Sequence, residues 1–173
     1  MNHKIYIIVA TEMNLGIGRN GVMPWNIKGE MKHFTETTTK TSDPSRQNMM
    51  VMGKTTWYSI PENHRPLKNR KNVILTTNKE PDQQGVTFCG SFEEAFALAD
   101  DSVENIFIMG GASIYKQVID KKLADGIFIT RINKEYECDT FFPEIPSEYG
   151  EAVNLGGGEE DDVSYSYLFY SKV

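Results

Sequence analysis

The sequence is short of cysteine, of long apolar runs and of basic charge, and each shortage excludes a class of protein. Its two cysteines, Cys89 and Cys138, have no metal-ligand spacing and are too few for the disulfide framework of a secreted protein. The apolar run from Ile5 to Ala10 is too short for a membrane span or a signal peptide. Acidic residues outnumber basic ones by 24 to 18, so a broad nucleic-acid or anionic-membrane surface is not expected. We therefore expect a cytoplasmic protein that binds neither nucleic acid nor membranes.

Histidine is scarce as well, and its distribution argues against a metal centre. His3, His33 and His64 are spread singly along the chain, without the i,i+4 spacing that places two imidazoles on one helix face. We expect no metal site.

The chain does contain short apolar runs that alternate with helical patterns, over a length that suits one domain of residues 1–173. Runs such as Ile5 to Val9 are continuously apolar, which is typical of central parallel strands covered on both faces. Strands are predicted over residues 4–11, 49–52, 72–76, 86–89, 105–109, 126–132 and 163–170, and helices over residues 28–38, 54–59, 92–99 and 112–119. We predict a single α/β domain with a mostly parallel central sheet, helices on both faces and an antiparallel C-terminal hairpin.

Two local patterns define the ends of predicted elements. Ser91 and Glu94 form a capping box, which predicts the start of the third helix. Gly156 to Gly158, followed by the acidic run from Glu159 to Asp162, predicts an exposed turn before the last strand and a solvated loop.

One carboxylate stands out because of its apolar surroundings. The Pro24-Trp25 turn precedes a short helix on which Ile27, Met31 and Phe34 share a face, and Glu30 lies beside them. Burial there would raise the pKa of Glu30 toward the range useful for proton transfer at neutral pH. The alternative is an acid that merely suits the positive end of the helix dipole.

A glycine-rich segment, Gly16 to Gly21, matches the pattern of a dinucleotide-binding fingerprint but lacks the helix that should open there. We interpret it as a flexible loop and a candidate lid over the site. Gly53-Lys54-Thr55 resembles the end of a phosphate-binding Walker loop, yet Asn48 stands where that motif needs glycine.

What remains is a repeated junction in which a strand, a glycine and a helix follow one another. It occurs at Gly53 and again at Gly110-Gly111, and each junction offers backbone N–H groups to an anion. Either could be an ordinary tight turn, but two together favour a pyrophosphate held from both sides.

A basic segment, His64 to Lys71, lies in this otherwise acidic chain. A solvated loop explains Lys68 and Lys71. Arg70 is the better candidate for binding a carboxylate, because a guanidinium group forms paired hydrogen bonds that lysine cannot form.

The order and spacing of these motifs along the chain resemble those of dihydrofolate reductases. The segments that carry the resemblance are Ile8-Val9-Ala10, Leu15 to Gly18, Pro24-Trp25, Glu30 to Phe34, Val51 to Trp57, Ser59-Ile60-Pro61, Arg65-Pro66-Leu67, Arg70, Met109-Gly110-Gly111, Tyr115, Thr130 and Asp139 to Pro143. The resemblance implies a dihydrofolate reductase-like fold, NADPH as cofactor, 7,8-dihydrofolate as substrate and tetrahydrofolate as product, in support of one-carbon and thymidylate metabolism. It also implies antifolate binding and a cis peptide between the two glycines at 110 and 111. We expect a monomer, and because this sequence ends at Val173 directly after the predicted last strand, we expect no fused thymidylate synthase in it.

The same resemblance assigns roles to individual residues. Catalytic roles are implied for Glu30, which would bind the pterin and support protonation of N5 through water near Trp25, and for Thr130, which would orient Glu30. Substrate contacts are implied for Ile8, Val9, Glu30, Met31, Phe34, Ile60, Leu67, Arg70, Met109, Tyr115 and Thr130. Cofactor contacts are implied for Ala10, Ile17, Gly21, Gly53, Lys54, Thr55, Thr56, Thr76, Thr77, Asn78, Gly110, Gly111, Ala112, Ser113, Ile114 and Tyr115.

The sequence departs from the family pattern at two of these positions. Met31 stands where an aromatic residue or leucine is common, and Thr77 stands where arginine often meets the adenosine 2′-phosphate. Lys54 and Lys79 are then the cations available for that phosphate. The alternatives are a reductase acting on a pteridine-like or riboflavin-precursor ring and a binding protein without activity. Both are disfavoured by the intact Trp25, Glu30, Thr130 and Arg70.

Overall fold

A computed structural model describes residues 2–173 of the chain. Its strands are β1 (Lys4–Thr11), β2 (Gly16–Gly18), β3 (Gln47–Gly53), β4 (Arg70–Leu75), β5 (Val86–Cys89), β6 (Val103–Ile108), β7 (Gly126–Ile132), β8 (Thr140–Phe141), β9 (Val153–Glu160) and β10 (Val163–Ser171). Its helices are α1 (Lys28–Thr39), α2 (Lys54–Ser59), α3 (Phe92–Ala97) and α4 (Ala112–Asp120). Within residues 2–173, no helix is both long and apolar enough to cross a membrane.

Eight strands form one sheet in the order β5-β4-β3-β6-β1-β7-β10-β9. All neighbours from β5 to β7 are parallel, whereas β10 runs antiparallel to both β7 and β9. The prediction of an α/β domain with a mostly parallel sheet and an antiparallel C-terminal hairpin is therefore confirmed.

Successive residues of the central strand β1 are buried on opposite faces of the sheet. Ile7 belongs to a core cluster that includes Phe92 of α3 and Val118 of α4, whereas Ile8 belongs to a second cluster that includes Trp57 of α2. The run is continuously apolar because helices cover both faces, as the sequence predicted.

The predicted turn at Gly156 to Gly158 is wrong, because these glycines lie inside β9. A Cβ atom on Gly157 would stand 2.2 Å from the Tyr165 carbonyl oxygen, and one on Gly158 would stand 2.7 Å from the Tyr165 hydroxyl oxygen. Glycine is thus required here by the close approach of β10. The turn is made instead by Asp161 and Asp162, both with positive φ.

The segment after β1 also differs from the predicted flexible loop. Gly16 and Gly18 lie in β2, which pairs with β8 in a separate two-stranded sheet. Glu12 is buried, and its Oε1 atom accepts hydrogen bonds from the backbone N–H groups of Asn14 at 2.6 Å and Gly16 at 2.8 Å. These bonds order the start of the segment.

Strands β1, β3, β4 and β6 are parallel, so their carboxyl ends meet at one edge of the sheet. The chain that follows each strand lines a single cleft at this edge. The fold thereby collects residues from four distant parts of the sequence at one place.

Candidate active site

The cleft has a volume of about 1630 Å³ and runs along the carboxyl edge of the sheet. It brings together every predicted substrate-binding and cofactor-binding residue except Thr130. Thr130 lies on β7 and, together with Ile8 and Glu30, lines a small adjoining cavity of about 10 Å³. Trp25 does not line the cleft and packs in a core cluster with Ile27 and Tyr165.

Glu30 lies in the first turn of α1 and is only 7% exposed. Burial raises its pKa from the ordinary value of 4.5 to about 7. Its carboxyl group can therefore hold or release a proton at neutral pH, as the sequence predicted from its apolar neighbours. Met31, which follows it, is 46% exposed and forms part of the cleft rim.

Tyr115 joins the same region of the cleft from α4. Its hydroxyl donates a hydrogen bond to the Ile8 carbonyl oxygen at 2.8 Å. The pKa of Tyr115 is raised by burial and, to a lesser extent, by the negative charge of Glu30. Tyr115 therefore remains a protonated donor that fixes the backbone of β1 at Ile8, which lines the cleft together with Glu30.

The N-terminus of α1 is held by a residue that the sequence analysis assigned to a solvated loop. Glu160, at the end of β9, accepts hydrogen bonds from the backbone N–H groups of Lys28 at 2.8 Å and Gly29 at 3.1 Å. These bonds lower the pKa of Glu160. The N-cap residue Ile27 has no capping side chain, so the distant carboxylate performs that task.

Strand β10 holds the same turn of α1. The Tyr167 hydroxyl donates a hydrogen bond to the Gly29 carbonyl oxygen at 3.0 Å, and the Tyr167 ring stacks on His33 with centroids 3.6 Å apart. A Cβ atom on Gly29 would stand 2.1 Å from the Tyr165 hydroxyl oxygen. The terminal hairpin thus fixes the backbone on both sides of Glu30.

Trp25 is 7% exposed and packs edge-on against Tyr136, with ring centroids 5.4 Å apart. Its indole N–H is buried and has no hydrogen-bond partner among residues 2–173. A buried donor in this state fits a role in binding water or substrate.

At the far end of the cleft, Arg70 is fixed by two hydrogen bonds and keeps donors to spare. Its Nη1 atom donates to the Thr38 hydroxyl and its Nε atom to the Lys68 carbonyl oxygen, both at 2.9 Å. A guanidinium group has five N–H donors, so three remain for a ligand. Its position 5.9 Å from the centre of the Phe34 ring places it over an apolar wall.

Two buried polar residues that the sequence analysis missed support Arg70. Thr38 is fully buried at the end of α1 and also donates to the Phe34 carbonyl oxygen at 2.8 Å. Asn72 forms hydrogen bonds of 2.9 Å with Leu67 N–H and with the Leu67 and Arg70 carbonyl oxygens, which closes the loop before β4. Buried amides and hydroxyls inside apolar runs were the signal that could have identified them.

The predicted cis peptide between Gly110 and Gly111 is present. The Gly53 N–H donates to the Gly110 carbonyl oxygen at 2.8 Å, which joins the two strand-glycine-helix junctions. A Cβ atom on Gly111 would fill the cradle and stand 3.4 Å from the Thr56 hydroxyl oxygen. The first intrahelical bond of α4 is made by the N–H of Tyr115, so the preceding N–H groups are available at the cradle. This arrangement fits a bound pyrophosphate.

The sequence analysis identified Lys54 as a cleft residue but missed Glu80, the carboxylate that pairs with it. Lys54, at the start of α2, forms an ion pair with Glu80. The Tyr58 hydroxyl donates to the second Glu80 oxygen at 3.1 Å. Thr76, Thr77 and Asn78 line this part of the cleft as neutral neighbours.

Comparisons with known proteins agree with this geometry. A family model described as dihydrofolate reductase matches residues 4–172. The chain is 40% identical to the dihydrofolate reductase of Drosophila melanogaster over 98% of both chains. It is also 40% identical to that of Sus scrofa, over 95% of this chain and 96% of the relative, and 37% identical to that of Gallus gallus, over 95% and 94%.

Proposed function

Because this chain belongs to the dihydrofolate reductase family and reduces 7,8-dihydrofolate to 5,6,7,8-tetrahydrofolate with NADPH, we propose that Glu30 binds the pterin ring and supports its protonation. The observation that carries this proposal is the burial of the Glu30 carboxyl group inside the cleft, which raises its pKa to about 7. A carboxyl group with this pKa can form paired hydrogen bonds with the ring and still exchange a proton at neutral pH.

When bound, NADPH supplies the hydride that reduces the pterin ring. Gly110, Gly111 and Thr56 are suited to hold the pyrophosphate, because the cradle between them offers backbone donors and no side chain that would fill it. Ala10 and Ile17 line the same cleft as Glu30 and would contact the nicotinamide ring.

Two neighbours of Glu30 would act through it. Thr130 shares the small cavity with Glu30 and would orient the carboxyl group. Trp25 would bind water with its unpartnered indole N–H and so connect Glu30 to the ring nitrogen that is protonated.

The apolar walls and Arg70 would bind the rest of the substrate. Phe34, Ile60 and Leu67 line the cleft between Glu30 and Arg70 and suit the aminobenzoyl group. The three remaining N–H donors of Arg70 suit the α-carboxylate of the glutamate tail. Orientation of the substrate in this cleft is then the main contribution of the protein to the rate.

We further propose that residues 1–173 work as one domain, as a monomer and in the cytoplasm. One chain supplies all residues assigned to the cleft, and the net charge of −6 does not favour a broad nucleic-acid or anionic-membrane surface. Sedimentation equilibrium at about micromolar concentration tests the monomer.

The pH dependence of the reaction tests the role of Glu30. The value of kcat/KM for dihydrofolate should fall as the pH rises through about 7, because the protonated carboxyl group is lost. NADPH oxidation is measured with and without dihydrofolate and with a diaminopyrimidine antifolate as inhibitor. A profile without a change in slope between about pH 6 and pH 8 would contradict the proposal.

A further inference from the structure

The cation that lines the adenosine part of the cleft is already paired with a carboxylate. The Lys54 side chain lines the cleft, and its ammonium group forms an ion pair with Glu80. The Glu80 side chain is only 9% exposed, whereas that of Lys54 is 38% exposed. The positive charge is therefore presented to the cleft with a negative charge directly behind it.

A hydrogen-bond network holds Glu80 in this position and keeps it ionised. The Tyr58 hydroxyl donates to Glu80 at 3.1 Å and accepts from the Gln83 side chain at 3.1 Å. The hydrogen bond from Lys54 lowers the pKa of Glu80, with a further contribution from Tyr58. The same ion pair raises the pKa of Lys54. Both groups are charged at neutral pH.

The segment that follows β4 adds no second positive charge to the cleft lining. Thr76, Thr77 and Asn78 are neutral. Lys79 is exposed and does not line the cleft. Glu93 and Lys121 both line the cleft, and the Lys121 ammonium group lies over the Phe92 ring, 5.6 Å from its centre. A dianionic phosphate bound beside Lys54 must share the ammonium group with Glu80 or displace it.

We infer that Glu80 is a specificity-determining residue that weakens the binding of the adenosine 2′-phosphate and so limits the preference for NADPH over NADH. The inference rests on the placement of that phosphate beside Lys54. NADH carries a neutral hydroxyl at the same position and escapes the repulsion. Removing the Glu80 charge therefore strengthens the binding of the phosphorylated cofactor alone.

The experiment compares two mononucleotides by calorimetry, which needs neither turnover nor substrate. Adenosine 2′,5′-bisphosphate carries the 2′-phosphate, and adenosine 5′-monophosphate does not. Glu80→Gln should bind the bisphosphate about 10-fold more tightly than wild type, because Lys54 gains a free charge-assisted hydrogen bond. Binding of the monophosphate should change less than about twofold, and the NADPH to NADH ratio of kcat/KM should rise with bisphosphate affinity.

Two further variants separate this inference from its premise. Asp82→Asn removes an exposed carboxylate from the same loop and should leave bisphosphate affinity unchanged. Lys54→Gln should weaken bisphosphate binding about 10-fold and spare the monophosphate. If Lys54→Gln affects neither ligand, the placement of the phosphate is wrong and the inference fails with it.

If Lys54→Gln weakens bisphosphate binding but Glu80→Gln leaves it unchanged or also weakens it, the placement stands and the inference is wrong. Glu80 would then serve to position Lys54 for the phosphate. If the Glu80→Gln variant unfolds below the assay temperature, Glu80→Ala replaces it and should also bind the bisphosphate more tightly than wild type. Raising the salt concentration should reduce the gain, because these charges are partly exposed.

Discussion

At one end of the cleft the main charge belongs to the buried Glu30, and at the other end to Lys54, which is 38% exposed and paired with Glu80. Glu30 is surrounded by apolar side chains, and the backbone around it is held by Glu160 and Tyr167. Lys54 is held by a single ion pair between the start of a six-residue helix and a loop.

The difference shows that one cleft uses electrostatics in two ways. Burial raises the pKa of Glu30 to about 7, and we expect salt to have little effect on a charge that is buried. The other end depends on charges near the surface, which salt screens. We therefore expect substitutions in the core to change the proton transfer and substitutions near the surface to change cofactor discrimination.

The largest expected effect is on turnover when the buried carboxyl group is removed. Glu30→Gln keeps the shape of the side chain but cannot carry the proton, so we expect kcat at neutral pH to fall about 100-fold or more. The loss should be smaller at low pH, where solvent supplies protons. The control is Glu36→Gln on the exposed face of α1. Retention of more than half of wild-type kcat would show that Glu30 is not needed for protonation.

The same substitution should stabilise the fold at alkaline pH. The folded-state pKa of Glu30 is about 7, above its ordinary value of 4.5, so the protonated form favours folding and its contribution is lost as the pH rises through 7. Glu30→Gln should therefore be more stable than wild type by up to about 3 kcal/mol near pH 8 and by little near pH 4. Urea unfolding at both pH values measures this difference. Equal stability at pH 8 would mean that the ionised carboxylate is well solvated.

A third prediction concerns Arg70, which we propose binds the glutamate tail of the substrate, away from Glu30. Arg70→Leu removes the paired donors and should raise KM for dihydrofolate about 30-fold, with little change in kcat at saturation. A folate analogue without the glutamate tail is the control, and its affinity should barely change. Equal losses for both ligands would indicate that Arg70 supports the structure and does not bind the carboxylate.

The smallest expected effect comes from a substitution that tests whether the terminal hairpin positions Glu30. Glu160→Gln removes a carboxylate that accepts bonds from Lys28 and Gly29, so we expect about a fivefold loss in kcat/KM and a lower Tm. Glu159→Gln, one residue earlier on exposed β9, is the matched control. If the two variants behave alike, α1 does not need the distant cap to position Glu30.

The central sheet could be predicted from sequence because its signals are local. The apolar run at Ile5 to Val9 predicted β1, and Ser91 predicted the N-cap of α3, whose hydroxyl accepts from Glu94 N–H at 3.1 Å. The glycines of β9 were predicted to form a turn, because nothing near them in sequence shows that they make room for Tyr165 on the neighbouring strand. Sequence patterns do not show which distant residue needs that space.

The candidate site divides in the same way. Glu30 and Arg70 could be found from their own neighbours in sequence, since an acid on an apolar face and an arginine in a basic loop are local patterns. Glu80 and Glu160 could not, because each acts on a helix that lies far away along the chain. Acidic residues in exposed segments usually have no specific partner, so only the folded structure identifies those that do.

The hydrogen bonds from β9 and β10 to α1 also bear on the order in which parts of the chain can fold during synthesis. A ribosome delivers Glu30 early, but Glu160 and Tyr167 follow more than 125 residues later, in contacts separated by 132 and 138 positions. The parallel strands β3 to β6 can pair before that time, whereas the first turn of α1 waits for the end of the chain. We therefore expect the position of Glu30 to be fixed in a nascent chain only after the last strand has left the ribosome.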